Sequence, residues 1–196
     1  MTGVLLVGGA SRRFGSPKAL ARFQGEMLGE RAYRLLEDVF GSVIVVGKAG
    51  DGLELPFEIL DDGSEVRAPI VGLVAALRAV ETDVSVVLPT DMPLVSGDLL
   101  GRLADEVEGH DAAIPQTGPL PGAYRKSALP VLERRVREGE LALYRALEEL
   151  SVQVVETGEE ELRNVNTRAD LGTDEGKPRG GISAVADAEE GDGGET

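Results

Sequence analysis

The densest group of residues that could do chemistry lies near the amino terminus, directly after the first apolar run. Residues 5–18 read LLVGGASRRFGSPK, so two glycines precede three cations. Gly8 and Gly9 can adopt backbone angles closed to other residues, and successive N–H groups in such a loop can bind an anion. On a chain with a formal net charge of -15, this local reversal of sign predicts a phosphate-binding loop that ends at Lys18. The alternative is a tight turn with a solvated basic surface.

A second segment combines a strong strand with an isolated carboxylate. Residues 86–94 read VVLPTDMPL, and Asp91 stands between Pro89 and Pro93, which restrict its backbone. A carboxylate oxygen at the end of a central strand suits Mg²⁺, which takes one or two carboxylates and completes its shell with water and phosphate. An ordinary turn aspartate is the alternative.

Two polar segments are weaker candidates. Asp61 and Asp62 follow the third apolar run, and Asn164 and Asn166 lie on one side of an extended segment, where their amides offer donors and acceptors without charge. Asn166 or Thr167 could instead cap a short helix.

The residue types also exclude several chemistries. There is no cysteine, which removes disulfides, thiolate metal sites and cysteine nucleophiles. His110 is the single histidine and is interpreted as a plain loop residue. A net charge of -15 disfavours a nucleic-acid partner, and the acidic, lysine-poor composition favours a salt-adapted source.

The elements that must position these residues alternate along the chain. Apolar runs predict strands at 4–7, 42–46, 57–60, 84–88, 112–114 and 152–155. Helical spacing predicts helices at 27–40, 69–80, 98–107, 127–137 and 141–150. This alternation predicts an α/β fold with a mostly parallel sheet covered by helices on both faces, and ligands at the carboxyl ends of the strands.

Length and composition set the domain organisation. With 196 residues and 42% hydrophobic residues, the chain suits one domain, predicted at 1–172. Residues 173–196 are glycine-rich and acidic and predict a disordered tail. No signal peptide and no membrane-spanning run is evident, so we expect a cytoplasmic protein without a membrane partner.

The glycine-rich loop resembles the signature of Rossmann-like nucleotidyltransferases. It is most similar to the molybdenum cofactor guanylyltransferases, which typically read LAGG-x-S-R-R-M-G-x-D-K, where this chain reads LVGGASRRFGSPK. The departures at Val7, Phe14 and Pro17 remove no glycine and no cation. P-x-D-x-P around Asp91 is similar to the family's metal-binding motif, and N-V-N-T at 164–167 is typical of this subfamily. The resemblance covers about residues 3–171.

The resemblance implies a role for each matching position. The nucleotide-binding residues it implies are Leu6, Val7, Gly8, Gly9, Lys18, Asp62 and Asp91. The catalytic residues are Lys18, Arg12 and Asp91, and Asp91 is also the Mg²⁺ ligand. The acceptor-binding residues are Tyr124, Arg125, Asn164 and Asn166. Asp61 stays open as the alternative to Asp62. Lys48 stands where the family often has asparagine, and Ala68 replaces the first glycine of its G-P-L-x-G turn.

The reaction that the resemblance implies is transfer of GMP from GTP to the terminal phosphate of molybdenum-bearing molybdopterin. Its partners would be GTP, molybdopterin and, in transient contact, proteins that deliver the cofactor. An acceptor-binding part is expected to form after Pro115. Two alternatives stay open: a related enzyme that uses CTP or another phosphorylated acceptor (a cobamide precursor or a sugar phosphate), and a nucleotide-binding regulator without turnover.

Overall fold

The computed structural model of the protein describes residues 1–8 and 17–171. Their strands are β1 (Thr2–Val7), β2 (Arg22–Phe23), β3 (Glu26–Met27), β4 (Val43–Gly47), β5 (Leu60–Asp61), β6 (Val84–Pro89), β7 (Ala112–Pro115), β8 (Gly122–Arg125) and β9 (Val152–Val155). Their α-helices are α1 (Leu28–Phe40), α2 (Pro69–Ala79), α3 (Gly97–Glu106), α4 (Leu129–Glu138), α5 (Leu143–Ala146) and α6 (Arg168–Leu171).

Seven of these strands form one sheet in the order β5-β4-β1-β6-β8-β7-β9. β1 pairs in parallel with β4 on one side and β6 on the other, so the chain order reverses beside β1. β5 is parallel to β4 and β9 is parallel to β7, whereas β8 runs antiparallel to both β6 and β7. The predicted fold class is confirmed: a Rossmann-like α/β fold with a mostly parallel sheet.

Both faces of the sheet are covered by helices, and the largely apolar central strands β1 and β6 are buried between them. Leu5 and Val7 point to the side of α1 and α3, where they join one hydrophobic core. Val4 and Leu6 alternate to the side of α2 and α4, in a second core. A strand buried on both faces reads as a continuous apolar run, which is how β1 was recognised in the sequence.

Four features of the fold differ from the prediction. The strand expected at 57–60 is only the two-residue β5, and the helix expected at 141–150 is α5 followed by a 3-10 turn at Leu147–Glu149. A hairpin of β2 and β3 was not predicted; it turns at Gln24 and Gly25, which both have positive φ. The acceptor-binding part expected after Pro115 is no appended unit, because β8 and β9 belong to the same sheet.

Some expectations concern residues outside those described. The tail predicted at 173–196, the boundary at 172, and the loop residues Gly9 and Arg12 all fall there. Within the described residues, no helix is both long and apolar enough to cross a membrane. His110 lies in the loop before β7, where its Nδ1 is 3.0 Å from Ser151 Oγ.

Candidate active site at the carboxyl edge of the sheet

The carboxyl ends of β1 and β6 open into a cavity of about 620 Å³. Leu6, Val7 and Gly8 line it from β1, and Pro89 and Asp91 line it from β6. A Cβ added at Gly8 would meet no atom of the described residues within 4 Å, so the main chain there is open to a ligand. This edge is where open α/β sheets bind ligands, at the point where the strand order reverses.

Lys18 and Asp91 meet at this cavity although 73 positions separate them in the sequence. Lys18 Nζ donates to Asp91 Oδ2 at 3.0 Å and to Asn166 Oδ1 at 3.0 Å. The side chains of Lys18 and Asp91 are 20% and 27% exposed, so a ligand in the cavity can reach them. The cluster places a donor for phosphate oxygens beside an oxygen ligand for a cation.

The loop that carries Asp91 is tied to its surroundings through the main chain. The Asp91 carbonyl accepts a hydrogen bond from Val165 N at 2.7 Å. Arg31 in α1 donates from Nε to the Pro93 carbonyl at 2.9 Å. The Val165 bond holds the 164–166 segment against the end of β6, where Asn164 lies at the cavity wall and Asn166 at Lys18, and the Arg31 bond holds the same loop against α1.

The asparagine segment forms a helix cap, and this cap leaves the Asn166 side chain on the site. Thr167 Oγ accepts from Asp170 N at 3.3 Å, so Thr167 caps α6. In return, Asp170 Oδ2 accepts from the backbone N–H groups of Asn166 and Thr167, and these bonds hold the pKa of Asp170 below its ordinary value. Because the cap uses the backbone of Asn166, its side chain stays available for the site.

A second cavity, of about 270 Å³, adjoins the first at the ends of β1 and β4. Lys48 and Asp62 line it and form an ion pair of 2.6 Å, with side chains only 11% and 7% exposed. Lys48 Nζ also donates to the carbonyls of Val66, at 2.7 Å, and Ser64. Since an ammonium group has three donors, Lys48 is saturated by the protein and holds the segment after β5 in place.

Asp61 and Asp62, the two alternatives for contact with the nucleotide, differ in where their carboxylates lie. Asp61 accepts from Ala49 N at 2.6 Å and from Gly63 N at 2.8 Å, and these backbone bonds lower its pKa. Its carboxylate therefore stabilises the loops, and Asp61 does not line either cavity. Asp62 is the one that reaches a cavity wall.

Arg67 is a cation of the site that the sequence did not single out. It lines both cavities, and its guanidinium binds the Asp51 carboxylate with two bonds, Nη1 to Oδ2 at 2.9 Å and Nη2 to Oδ1 at 2.5 Å. The Arg67 hydrogen bond lowers the pKa of Asp51. The sequence could have indicated Arg67 by its position directly before Ala68 and Pro69, where α2 begins.

A family model described as a MobA-like NTP transferase domain matches residues 3–155 of the chain. The chain belongs to the MobA-like NTP transferase family. The resemblance based on the glycine-rich loop, Asp91 and the asparagine segment is thereby confirmed at the level of the family.

Individual relatives agree with this family over most of their length. A protein of Chloroflexus aggregans named "Probable molybdenum cofactor guanylyltransferase" is 34% identical over 190 residues, which is 87% of this chain and 91% of that protein. One of the same name from Pelotomaculum thermopropionicum is 32% identical and covers 87% and 89%. The crystal structure of molybdopterin-guanine dinucleotide biosynthesis protein A from Archaeoglobus fulgidus is similar with a TM-score of 0.77 and 29% identity, covering 89% and 97%.

Two expected acceptor-binding residues of this NTP transferase lie away from the cavities. Tyr124 is fully buried, its hydroxyl donates to the Pro119 carbonyl at 2.6 Å, and burial raises its pKa. Arg125 pairs with Val84 across the strands and binds Asp83 Oδ2 through Nε at 2.8 Å. Val84 is the first residue of β6, about 17 Å along the strand from its carboxyl end. Neither side chain therefore lines either of the two cavities, Tyr124 because it is buried in the core and Arg125 because β8 runs antiparallel to β6. Their expected contacts with an acceptor stay a prediction.

Proposed function

We propose that this NTP transferase transfers GMP from GTP to the terminal phosphate of molybdenum-bearing molybdopterin and releases pyrophosphate. The observation that carries the proposal is the meeting of Lys18, Asp91 and Asn166 at one cavity from three distant parts of the chain. The names of the relatives, which cover most of this chain at about one-third identity, agree with the same reaction.

The two adjoining cavities suggest how the nucleotide lies. The second cavity has apolar walls at Leu6, Val46 and Ala68, which suit the flat face of a base. The first cavity contains Lys18, whose ammonium suits the phosphates. We place the base in the second cavity and the triphosphate in the first, beside the backbone of Gly8. Arg12 and Gly9, which precede Lys18 in the loop, are proposed to bind the same phosphates.

Asp91 fits a magnesium ion shared with the triphosphate. The described residues contain no group of three or more His, Cys, Asp or Glu side chains that could hold a metal by themselves. A single partly exposed carboxylate suits Mg²⁺, because this ion binds through one or two carboxylates and takes its other ligands from water and phosphates. When bound, the ion supplies neutralisation of phosphate charge.

The reaction needs little acid–base chemistry from the protein. An oxygen of the acceptor phosphate forms a bond to the α-phosphorus of GTP, and the bond from that phosphorus to the oxygen bridging to the β-phosphate breaks. Pyrophosphate leaves with the bridging oxygen. Because the attacking phosphate is already an anion, the protein has to position the two phosphates and offset their charge. Lys18 performs the second task.

Asn164 and Asn166 are the residues we propose for the acceptor. Both are exposed; Asn164 lines the first cavity, and Asn166 accepts a hydrogen bond from Lys18 beside it. Their amides can bind a pterin or a phosphate without adding negative charge to an acidic chain. Residues 163, 164, 166 and 167 are exposed around the buried Val165, and we propose that a protein that delivers the cofactor makes transient contact with them.

A transfer assay tests this function directly. GTP labelled in the α-phosphate, molybdenum-loaded molybdopterin and Mg²⁺ are mixed with the full chain, and we expect label in a dinucleotide product with one pyrophosphate released per transfer. Reactions without acceptor serve as the control. Competition among the four nucleoside triphosphates then identifies the base. A preference for CTP would replace GTP as the proposed substrate, and nucleotide binding without any transfer would favour the alternative of a regulator without turnover.

A further inference from the structure

The arginine at the junction of the two cavities has a place that the proposed mechanism does not yet use. Arg67 is the charged residue that lines both cavities among the described residues, whereas Lys18 and Asp91 line only the first and Lys48 and Asp62 only the second. A nucleotide that spans both cavities passes this side chain.

The Arg67 side chain is held in place and still has donors to offer. It is 44% exposed, and Asp51 is 18% exposed. A guanidinium carries five N–H donors in a planar fork, and Asp51 takes two of them. The remaining N–H groups can bind a phosphate while the Asp51 carboxylate fixes the arm. A planar guanidinium can therefore bind a carboxylate on one edge and a phosphate oxygen through its remaining N–H groups.

The other described lysines of the two cavities, Lys18 and Lys48, already have partners in the protein, which favours a further cation for phosphate binding. Lys48 is saturated by protein acceptors, and Lys18 already has Asp91 and Asn166 as partners. The chain as a whole has a net charge of -15, so it does not attract a triphosphate from a distance. Charge on the ligand must then be offset by cations at the cavity itself, and Arg67 is one that the family motifs do not include.

We propose that Arg67 is a further nucleotide-binding residue, which binds a phosphate group of the triphosphate through its guanidinium while Asp51 positions it. This inference rests on the proposed function for the identity of the ligand. It adds a second cation to the lining of the first cavity, so that Lys18 and Arg67 both bind the phosphates.

Equilibrium binding to the full chain tests the inference without turnover. GTP, GMP and guanosine are titrated in the presence of Mg²⁺ into the parent, Arg67→Gln, Arg67→Lys and Arg78→Gln. Arg78 is a matched control, since it is another arginine of the same part of the chain that is ion-paired, to Glu133, and lines neither cavity. Thermal unfolding of each variant checks the fold, and Arg67→Lys keeps the charge if the glutamine variant is unstable.

We expect Arg67→Gln to weaken GTP binding about tenfold or more, the scale of one charge-assisted hydrogen bond, and to leave guanosine binding nearly unchanged. Arg67→Lys should recover part of the affinity, and Arg78→Gln should match the parent. The results that would overturn the inference differ from those that would overturn the proposed function. Equal GTP binding by Arg67→Gln and the parent would overturn the inference about Arg67 and leave the proposed function standing. An equal loss of affinity for GTP and for guanosine would also overturn the inference, because the contact would then be with the base or the ribose. A parent that binds CTP in place of GTP would correct the proposed function, and the same series with CTP would still test Arg67. A parent that binds neither would overturn both.

Discussion

Asp91 follows β6 between Pro89 and Pro93, and its carboxylate accepts from Lys18 at 3.0 Å. Asp91→Asn keeps the size of the side chain and removes the charge that a shared Mg²⁺ needs. Turnover should fall by at least about a hundredfold, the usual scale for losing one electrostatic contributor to a charged transition state. Initial rates against Mg²⁺ concentration measure this, and raising Mg²⁺ should restore part of the rate.

The control for Asp91 is Asp105→Asn, which removes an exposed carboxylate of α3 outside both cavities. It should leave the Mg²⁺ dependence unchanged. If Asp91→Asn shows the parent's Mg²⁺ dependence and nearly the parent's turnover, Asp91 is not the metal ligand.

Lys18 is the cation that the structure brings to the same place. Lys18→Ala should raise the dissociation constant for GTP by about one to two orders of magnitude, because a charge-assisted contact is worth about 1.5–3 kcal/mol. Guanosine binding should change much less. Lys126→Ala is the matched control, since this substitution removes the same charge. Lys126 directly follows Arg125, which lies at the opposite end of β6 from the site. Equal effects of the two variants on GTP affinity would mean that only overall charge matters.

At the scale of elements, the close approach of β1 and β4 positions the carboxyl edge of the sheet, where the candidate site lies. Gly47 pairs with Val7 at the carboxyl ends of these strands, and a Cβ at Gly47 would lie 2.6 Å from the Val7 carbonyl oxygen. Gly47→Ala should lower the free energy of unfolding by about 1–3 kcal/mol, because backbone must shift to accept the methyl group. It should also weaken GTP binding, since the strands move beside Gly8.

Gly101→Ala provides the comparison for Gly47. Gly101 lies inside α3, where an added Cβ would meet no atom of the described residues within 4 Å. Alanine there should stabilise the protein by about 0.5–1 kcal/mol, as expected for glycine replaced inside a helix. Denaturant unfolding measures the change in the free energy of unfolding for both variants, which we expect to have opposite signs. An unchanged free energy of unfolding for Gly47→Ala would show that the β1–β4 contact can relax.

At the scale of the whole molecule, acid should destabilise the fold. Each described carboxyl group with a shifted pKa has it lowered by hydrogen bonds or ion pairs; these are Asp51, Asp61, Asp111, Glu149 and Asp170. A group with a lowered folded pKa contributes stability in full above its unfolded pKa, and that contribution is lost as pH falls through the folded pKa. The free energy of unfolding should therefore change little from pH 7 to about 5 and fall below about pH 4.

Asp111 is the group that tests this pH dependence. Its carboxylate accepts from Ser127 Oγ at 2.5 Å, the main cause of its lowered pKa, and from Ser151 N at 2.9 Å, so it joins β7 to two later segments. Asp111→Asn should reduce stability at pH 7 by about 1 kcal/mol or less, because the group is only half-buried and solvent screens its interactions. It should also make the loss below pH 4 shallower. Urea unfolding at several pH values measures both effects. If the free energy of unfolding falls equally steeply below pH 4 in variant and parent, Asp111 does not contribute to the loss of stability in acid.

The sequence determined the elements whose pattern is local. β1, β4 and β6 were predictable because strands buried on both faces are continuous apolar runs, and α1, α2 and α3 because their apolar residues repeat with helical spacing. β5 and the second half of the helix expected at 141–150 were not, since a two-residue strand and a 3-10 turn depend on neighbours that the local pattern does not contain. The chemical types at the site, the glycine-rich loop, Lys18 and Asp91, were also readable from the sequence alone.

Only the tertiary structure decided which of these residues meet. Lys18 reaches Asp91 and Asn166 because β1 and β6 are neighbours with parallel directions, so their carboxyl ends share one edge. The antiparallel insertion of β8 carries Arg125 to the other end of the sheet, although its motif matched the family. Arg67 belongs to no motif, yet its pairing with Asp51 places it at both cavities. Sequence spacing specifies residue types and periodicity, whereas distances between remote residues follow from strand order, direction and register, which long-range packing sets.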